Sequence, residues 1–167
     1  QTYAIRACGQ LGSEHLGGTI IKTNYARRPF AVNSSDDTVE AGNCNSGYDL
    51  IGDQILPVDF AGNDYVVIPT RNQTTFNNYE TVTVYATEPD TEIWVTNKSG
   101  AMVKIATIDP GTGYSFKTSD YSVYGDKRNT PIYVNTSKPT ILFQTTGIGA
   151  ELGGSVLPLL SCSGSTE

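Results

Sequence analysis

The chain has 167 residues, enough for one β domain with its own core, and carries a formal net charge of −6 with 17% charged and 38% hydrophobic residues. Nucleic acid and anionic lipid are excluded as natural partners, because both call for clustered basic charge and the one such cluster, Arg27-Arg28, reads as a solvated loop. No apolar run approaches a membrane span, and no basic-then-apolar leader is present; if the protein is secreted, Gln1 is expected to be a mature N-terminus left by leader removal.

Glycine (17), tyrosine (10) and many Thr and Asn residues stand where a helical protein would place Lys, Glu, Ala and Leu. Such residues suit pleated strands and tight turns. In chain order, strands are predicted at 3–8, 18–22, 29–33 and 64–69. Thr81-Val82-Thr83-Val84-Tyr85-Ala86 then alternates strictly, with Val82, Val84 and Ala86 on one face. Glu88-Pro89-Asp90-Thr91 is a turn, since Pro presets φ and Asp bonds its own backbone. Glu92-Ile93-Trp94-Val95-Thr96 alternates again, with Ile93 and Val95 inward, so the two segments are expected to form a hairpin. Further strands are predicted at 102–108, 113–117, 131–135 and 139–145, and no segment offers a helical stripe. The expected fold is all-β: a single antiparallel β-sandwich over 1–167.

The strand pattern repeats. Gly52-Asp53-Gln54-Ile55-Leu56-Pro57-Val58 has a counterpart in Gly153-Gly154-Ser155-Val156-Leu157-Pro158-Leu159. Pro29-Phe30-Ala31-Val32 corresponds to Pro139-Thr140-Ile141-Leu142, and Ile21-Lys22-Thr23-Asn24 to Val134-Asn135-Thr136-Ser137. Three paired elements in one order, offset by roughly a hundred residues, indicate an internal duplication, with chance similarity of Gly/Pro-punctuated β sequence as the rival. The first repeat would run from about 18 to 130 and the second from about 131 to 167. In the first, Gly62-Asn63-Asp64 leads into the apolar strand Tyr65–Ile68; the second stops at the same point, so the sheet is expected to be incomplete at its C-terminal edge and to take a strand from further chain or from a neighbouring subunit.

Catalysis is poorly provisioned: His15 is the sole histidine, no nucleophile elbow is present, and no pair of acids stands out for glycoside cleavage. The three cysteines show no zinc spacing, and in an oxidising compartment the favoured bridge is Cys8–Cys44, with three separate thiols as the alternative. Asp36, Asp37, Asp49 and Asp53 lie in segments rich in Gly, Asn and Ser that bring oxygens together, so a structural Ca²⁺ is one reading and Asx-turn capping the other. No other cofactor is expected. Trp94 shares a face with Glu92 and Thr96, away from the core; with Tyr85 it is a candidate for stacking on a sugar or anchoring an interface, burial under a loop being the rival. Sequons at Asn33, Asn72, Asn97 and Asn135, and a short Asp37-Thr38-Val39 signal similar to an O-glycosylation signal of the Bacteroidota, mark candidate glycosylation sites, Thr38 included.

A family resemblance runs through nearly the whole chain from Gly18. It is carried by Gly18-Thr19-Ile20-Ile21-Lys22-Thr23-Asn24, Pro29-Phe30-Ala31-Val32, Ser35-Asp36-Asp37-Thr38-Val39, Tyr48-Asp49-Leu50-Ile51-Gly52-Asp53-Gln54 and the stretch from Gly147 to Gly154. The order resembles bacterial (Bacteroidota) surface domains similar to the N-terminal part of IgG-Fc-binding protein. Gly47 and Ala150 stand where that pattern often has cysteine. The resemblance implies an extracellular, cell-surface location and a binding class. Together these features lead to a non-enzymatic module of a surface adhesin or filament-forming protein, partnered by neighbouring domains or subunits of one assembly. A carbohydrate- or mucin-binding module is the alternative, and a glycoside-cleaving domain a weaker one.

Overall fold

The structure, a computed structural model, describes residues 2–7, 16–24, 29–39, 49–70, 80–123, 129–148 and 151–162, with 37–39, 49, 147–148, 151 and 162 described by their backbone alone. Among the described residues there are nine strands: β1 (Val32–Val39), β2 (Asp49–Ile55), β3 (Gly62–Val67), β4 (Thr81–Ala86), β5 (Thr91–Thr96), β6 (Met102–Ile108), β7 (Gly113–Lys117), β8 (Ile132–Ile148) and β9 (Glu151–Val156). Among the described residues, helix is limited to one turn, α1 (Thr118–Tyr121), and 3-10 turns at Val58–Phe60 and Leu160–Cys162. Every pairing is antiparallel. The fold is an all-β sandwich, curled toward a half-barrel.

Its plan follows from β8, 17 residues long. Along one edge of β8, β5 pairs with residues 134–136 and β4 with 140–145; along the other, β3 pairs with 132–135 and β9 with 143–148. β6 and β7 continue the sheet outward beside β5 and β4. One sheet is thus folded across its middle into two leaves: β6-β5-β8-β3 (leaf I) and β7-β4-β8-β9 (leaf II).

Proline marks the crease in each line of strand: Pro110 between β6 and β7, Pro89 between β4 and β5, Pro139 within β8, Pro158 after β9. Pro139 has no N–H to give its neighbour, so the ladder breaks opposite it. Its carbonyl instead accepts from the Thr87 hydroxyl at 2.6 Å and the Thr87 N–H at 3.3 Å. Asp90 (φ 53°) and Gly111 (φ 84°) take the left-handed conformations that the neighbouring turns need, and the Asp90 N–H bonds the Asp109 carboxylate at 2.9 Å. The expected β4–β5 hairpin is therefore corrected. The turn is real, but its two strands lie end to end along β8 instead of pairing with each other, because the long edge of β8 accepts both.

The core fills the fold between the leaves. Val82, Val84, Phe116 and Leu142 meet Tyr65, Val67, Ile93, Val95, Ile132 and Val134, all buried. Phe116 meets Tyr121 edge-on at 5.4 Å between ring centres. The inward faces of β4 and β5 are those that alternation assigns. The Tyr65 hydroxyl donates to the Thr140 carbonyl and accepts from the Gly62 N–H, pinning β3 to the crease.

Gly17, Gly18 and the β1–β2 hairpin lie on the outside of leaf II. Gly18 (φ 84°) backs onto Gly111, where a Cβ would come within 2.6 Å of the Gly111 carbonyl oxygen, and Gly17 covers the Tyr85 ring. The β1–β2 hairpin leans on β9: the Ile51 side chain sits over Gly154, beside Phe143, and the Asp53 carboxylate accepts the Val156 N–H at 2.9 Å. Residues 3–7 and 18–22 are in no strand, the segment expected at 29–33 becomes a strand from Val32 onward, and those at 131–135 and 139–145 fuse into β8. β2 and β9 run into matching Leu-Pro and 3-10 segments, so the paired sequence blocks have the same local build.

Candidate ligand-binding face

Among the described residues no further segment packs over the outside of leaf I, which has a distinct composition. Register places Lys104 (β6), Trp94 (β5), Asn135 (β8) and Asp64 (β3) in one row across four strands. A parallel row holds Met102, Thr96, Tyr133 and Val66; the Thr96 hydroxyl accepts the Tyr133 N–H at 2.9 Å. Both rows point away from the core because their neighbours Ile93, Val95, Val134, Tyr65 and Val67 point into it.

These side chains hold one another in place. The Trp94 indole N–H donates to Glu92, two residues back on the same face, at 3.3 Å, which aligns the half-buried ring along its strand. Glu92 also accepts from the Lys104 ammonium at 2.5 Å, and these bonds, the Lys104 bond foremost, lower its pKa. Glu92 and Lys104 are 39% and 40% exposed, so the pair orients the ring more than it stabilises the fold. Asp64 accepts from the Tyr133 hydroxyl and from Asn135 Nδ2, the latter at 2.8 Å, both on Oδ1. The Tyr133 bond, then the Asn135 bond, holds Asp64 below its ordinary pKa, and the same contact with Asp64 raises Tyr133. Beyond Tyr133 the face dips into a shallow depression of about 250 Å³, lined by Val66, Thr96, Asn97, Lys98, Thr130 and Pro131. The arrangement brings two rings, Trp94 and Tyr133, two tied carboxylates, Glu92 and Asp64, and one tied amide, Asn135, onto one face: a surface for holding a ligand.

The family model described as IgGFc binding protein matches residues 1–150. The chain belongs to that family. The IgGFc-binding family is a family of binding modules and is not known as an enzyme family, and its domains are typically secreted or extracellular. No curated protein and no solved structure matches the chain. Among the described residues, no helix is long and apolar enough to cross a membrane.

Sequence reading placed Trp94 on this face of the IgGFc-binding domain but paired it with Tyr85, which the structure puts on the other leaf. There Tyr85 lies under Gly17 and against Gly113, and burial raises its pKa. Asp64, Tyr133 and Lys104 were not singled out by sequence. Alternation around Tyr65 and Val134 shows that Asp64 and Tyr133 face outward, but the register that brings them to Trp94 is a tertiary property.

The remaining candidates are dispersed. Both Asp53 oxygens accept backbone N–H groups, from Gln54 at 2.7 Å and Val156 at 2.9 Å, which is capping geometry. Asp36 lies opposite Ile51, and Asp37 and Asp49 are described by backbone alone; among the described residues no group of three His, Cys, Asp or Glu converges on a metal position. Asn33 is exposed on β1, Asn135 is committed to Asp64, and the Asn97 side-chain oxygen organises its turn by accepting from Ser99 and Ala101. Thr38 is described by backbone alone. Asn72, Cys8, Cys44 and His15 lie outside the described residues.

Proposed function

We propose that this chain is a non-enzymatic, extracellular module of a bacterial surface adhesin, and that it engages its partner through the outer face of leaf I. The carrying observation is the contrast between the two outer faces. That of leaf II lies under Gly17, Gly18 and the β1–β2 hairpin, whereas among the described residues no such segment covers that of leaf I, which is lined by side chains already fixed to one another. Preformed polar groups around an aromatic ring are what a binding surface needs, because little order must then be imposed on association. Glu92 and Asp64 are both tied to neighbours on a flat face and do not flank a cleft, which favours holding a ligand over cleaving one.

A structural, filament-forming role is the second reading. Phe30, Leu50, Val58 and Phe60 in the N-terminal part are each at least half exposed, which suits burial against a neighbouring domain or subunit. The like build of β2 and β9 supports a duplicated strand pattern in such an assembly.

Surface plasmon resonance of the chain over mucin and over IgG Fc, the partner in the family's name, tests the adhesive reading. Retention on at least one of the two surfaces is expected, with loss in Trp94→Ala. If neither surface retains the wild type above Trp94→Ala, the outer face of leaf I is not the binding surface.

A further inference from the structure

We propose that the outer face of leaf I is a platform for a neutral pyranose, with Trp94 as its stacking ring and Asp64 as the acceptor of its hydroxyls. The inference rests on that face being the binding surface and adds the chemistry of what it binds.

A pyranose presents a patch of C–H bonds on one face and hydroxyls around its rim. It therefore needs an aromatic ring beneath and fixed polar atoms beside that ring, in nearly the same plane. The row Trp94–Asn135–Asp64 spans two strand spacings, roughly 10 Å from backbone to backbone. A sugar resting on Trp94 overhangs Asn135 and directs its rim toward Asp64. The Trp94 N–H is already satisfied by Glu92, so covering the ring strands no donor.

Asp64 is set up for the rim. Tyr133 and Asn135 both donate to Oδ1, and Oδ2 accepts from none of the described residues. A carboxylate oxygen held open by two bonds on its twin is a fixed acceptor for a hydroxyl, and charge makes that bond strong.

Charge also selects the sugar. Lys104 is neutralised by Glu92 at 2.5 Å, leaving Asp64 as the uncompensated charge of the row. A carboxylated or sulfated sugar would meet like charge there, whereas a neutral hexose would not. A protein partner would favour an apolar interface centre; here the row that holds Trp94 is otherwise Lys104, Asn135 and Asp64. The depression past Tyr133 gives the next unit of a glycan somewhere to rest.

Trp94 is the chain's single tryptophan, so its emission reports directly on the site. The full chain is titrated with methyl glycosides of glucose, galactose and N-acetylglucosamine, and with a methyl sialoside. At least one neutral glycoside should change Trp94 emission saturably, with Kd on the order of 1 mM, and the sialoside should bind more weakly. Asp64→Ala should weaken binding by about tenfold or more. Trp94→Phe, followed by ligand-observed NMR, should abolish the saturation transfer. Circular dichroism of both variants must match the wild type and both must remain folded at the assay temperature, and Asn135→Ala serves in place of either that does not. The proposal is overturned if no neutral glycoside gives a saturable change, if the sialoside binds more tightly, or if a well-folded Asp64→Ala binds as wild type does. Retention on deglycosylated Fc or mucin core that depends on Trp94, with no response to any glycoside, overturns the sugar chemistry and leaves the binding face standing. Retention indifferent to Trp94 overturns both.

Discussion

Glu80 is 2% exposed, and no cation pairs with it among the described residues. Its carboxylate accepts instead from the Thr70 N–H at 3.1 Å, Thr118 Oγ1 at 3.1 Å and Gln144 Nε2 at 2.7 Å, joining the exit of β3, α1 and β8 at the base of leaf II. Glu80→Ala would leave those donors buried without a partner and should cost about 2–4 kcal/mol, whereas Glu80→Gln keeps an acceptor and should cost less; urea unfolding of the two variants measures the difference. Tyr65→Phe removes the bond to the Thr140 carbonyl at the crease without changing the ring, and should cost about 1–2 kcal/mol by the same measurement. Asp64 makes a pH prediction. Its pKa is lowered in the folded chain, so its contribution is fully present above the ordinary carboxylate value and is lost as pH falls through the lowered one. Tyr133→Phe removes the larger cause. The stability gap between wild type and that variant should be constant from neutral pH to about pH 5 and should close below about pH 4. A gap that stays constant to lower pH would show that Asp64 gains nothing from Tyr133.

At the scale of elements, the sequence is most legible where alternation is strict. β4 and β5 carry their buried and exposed residues as the pattern assigns, and Trp94 faces outward for the same reason. The pairing of those strands was not legible, because a Pro-Asp turn looks the same whether it reverses a hairpin or bends one line of strand across a crease. The deciding feature is Pro139, some fifty positions downstream, whose missing N–H lines up with that turn. β2 and β9 escaped strand prediction because their glycine-interrupted, partly exposed sequences lack alternation; Gly154 is required where Phe143 and Ile51 close over it. Gly18 offers a test of how the N-terminal part is held. Gly18→Ala would force a side chain into a left-handed conformation and within 2.6 Å of the Gly111 carbonyl oxygen. The expected outcome is faster amide exchange in β4 and β7 around Tyr85 with little change in β5, since the contact covers leaf II alone.

For the whole molecule, the folded-over sheet makes a statement about cooperativity. A sandwich of two separate sheets can lose one before the other. Here β8 belongs to both leaves, β4 continues into β5, and β6 continues into β7, so three of the four lines of strand cross the crease as continuous chain. The core residues of the two leaves also pack on each other as one cluster. Unfolding one leaf would expose the inner face of the other and break β8 in its middle, which leaves no stable half. The β1–β2 hairpin is different: of its large apolar side chains Ile51 is buried while Leu50 and Ile55 are exposed, and it meets the body through β9. We expect Trp94 emission, which reports on leaf I, and far-UV circular dichroism, which reports on both, to follow a single coincident urea transition. Amides of β1 and β2 should exchange by local opening at well below the global unfolding free energy, while those of β4, β5 and the middle of β8 should share the global value. Two resolved transitions, with Trp94 changing in only one, would mean that the crease is a hinge between independent halves and not the spine of one cooperative unit.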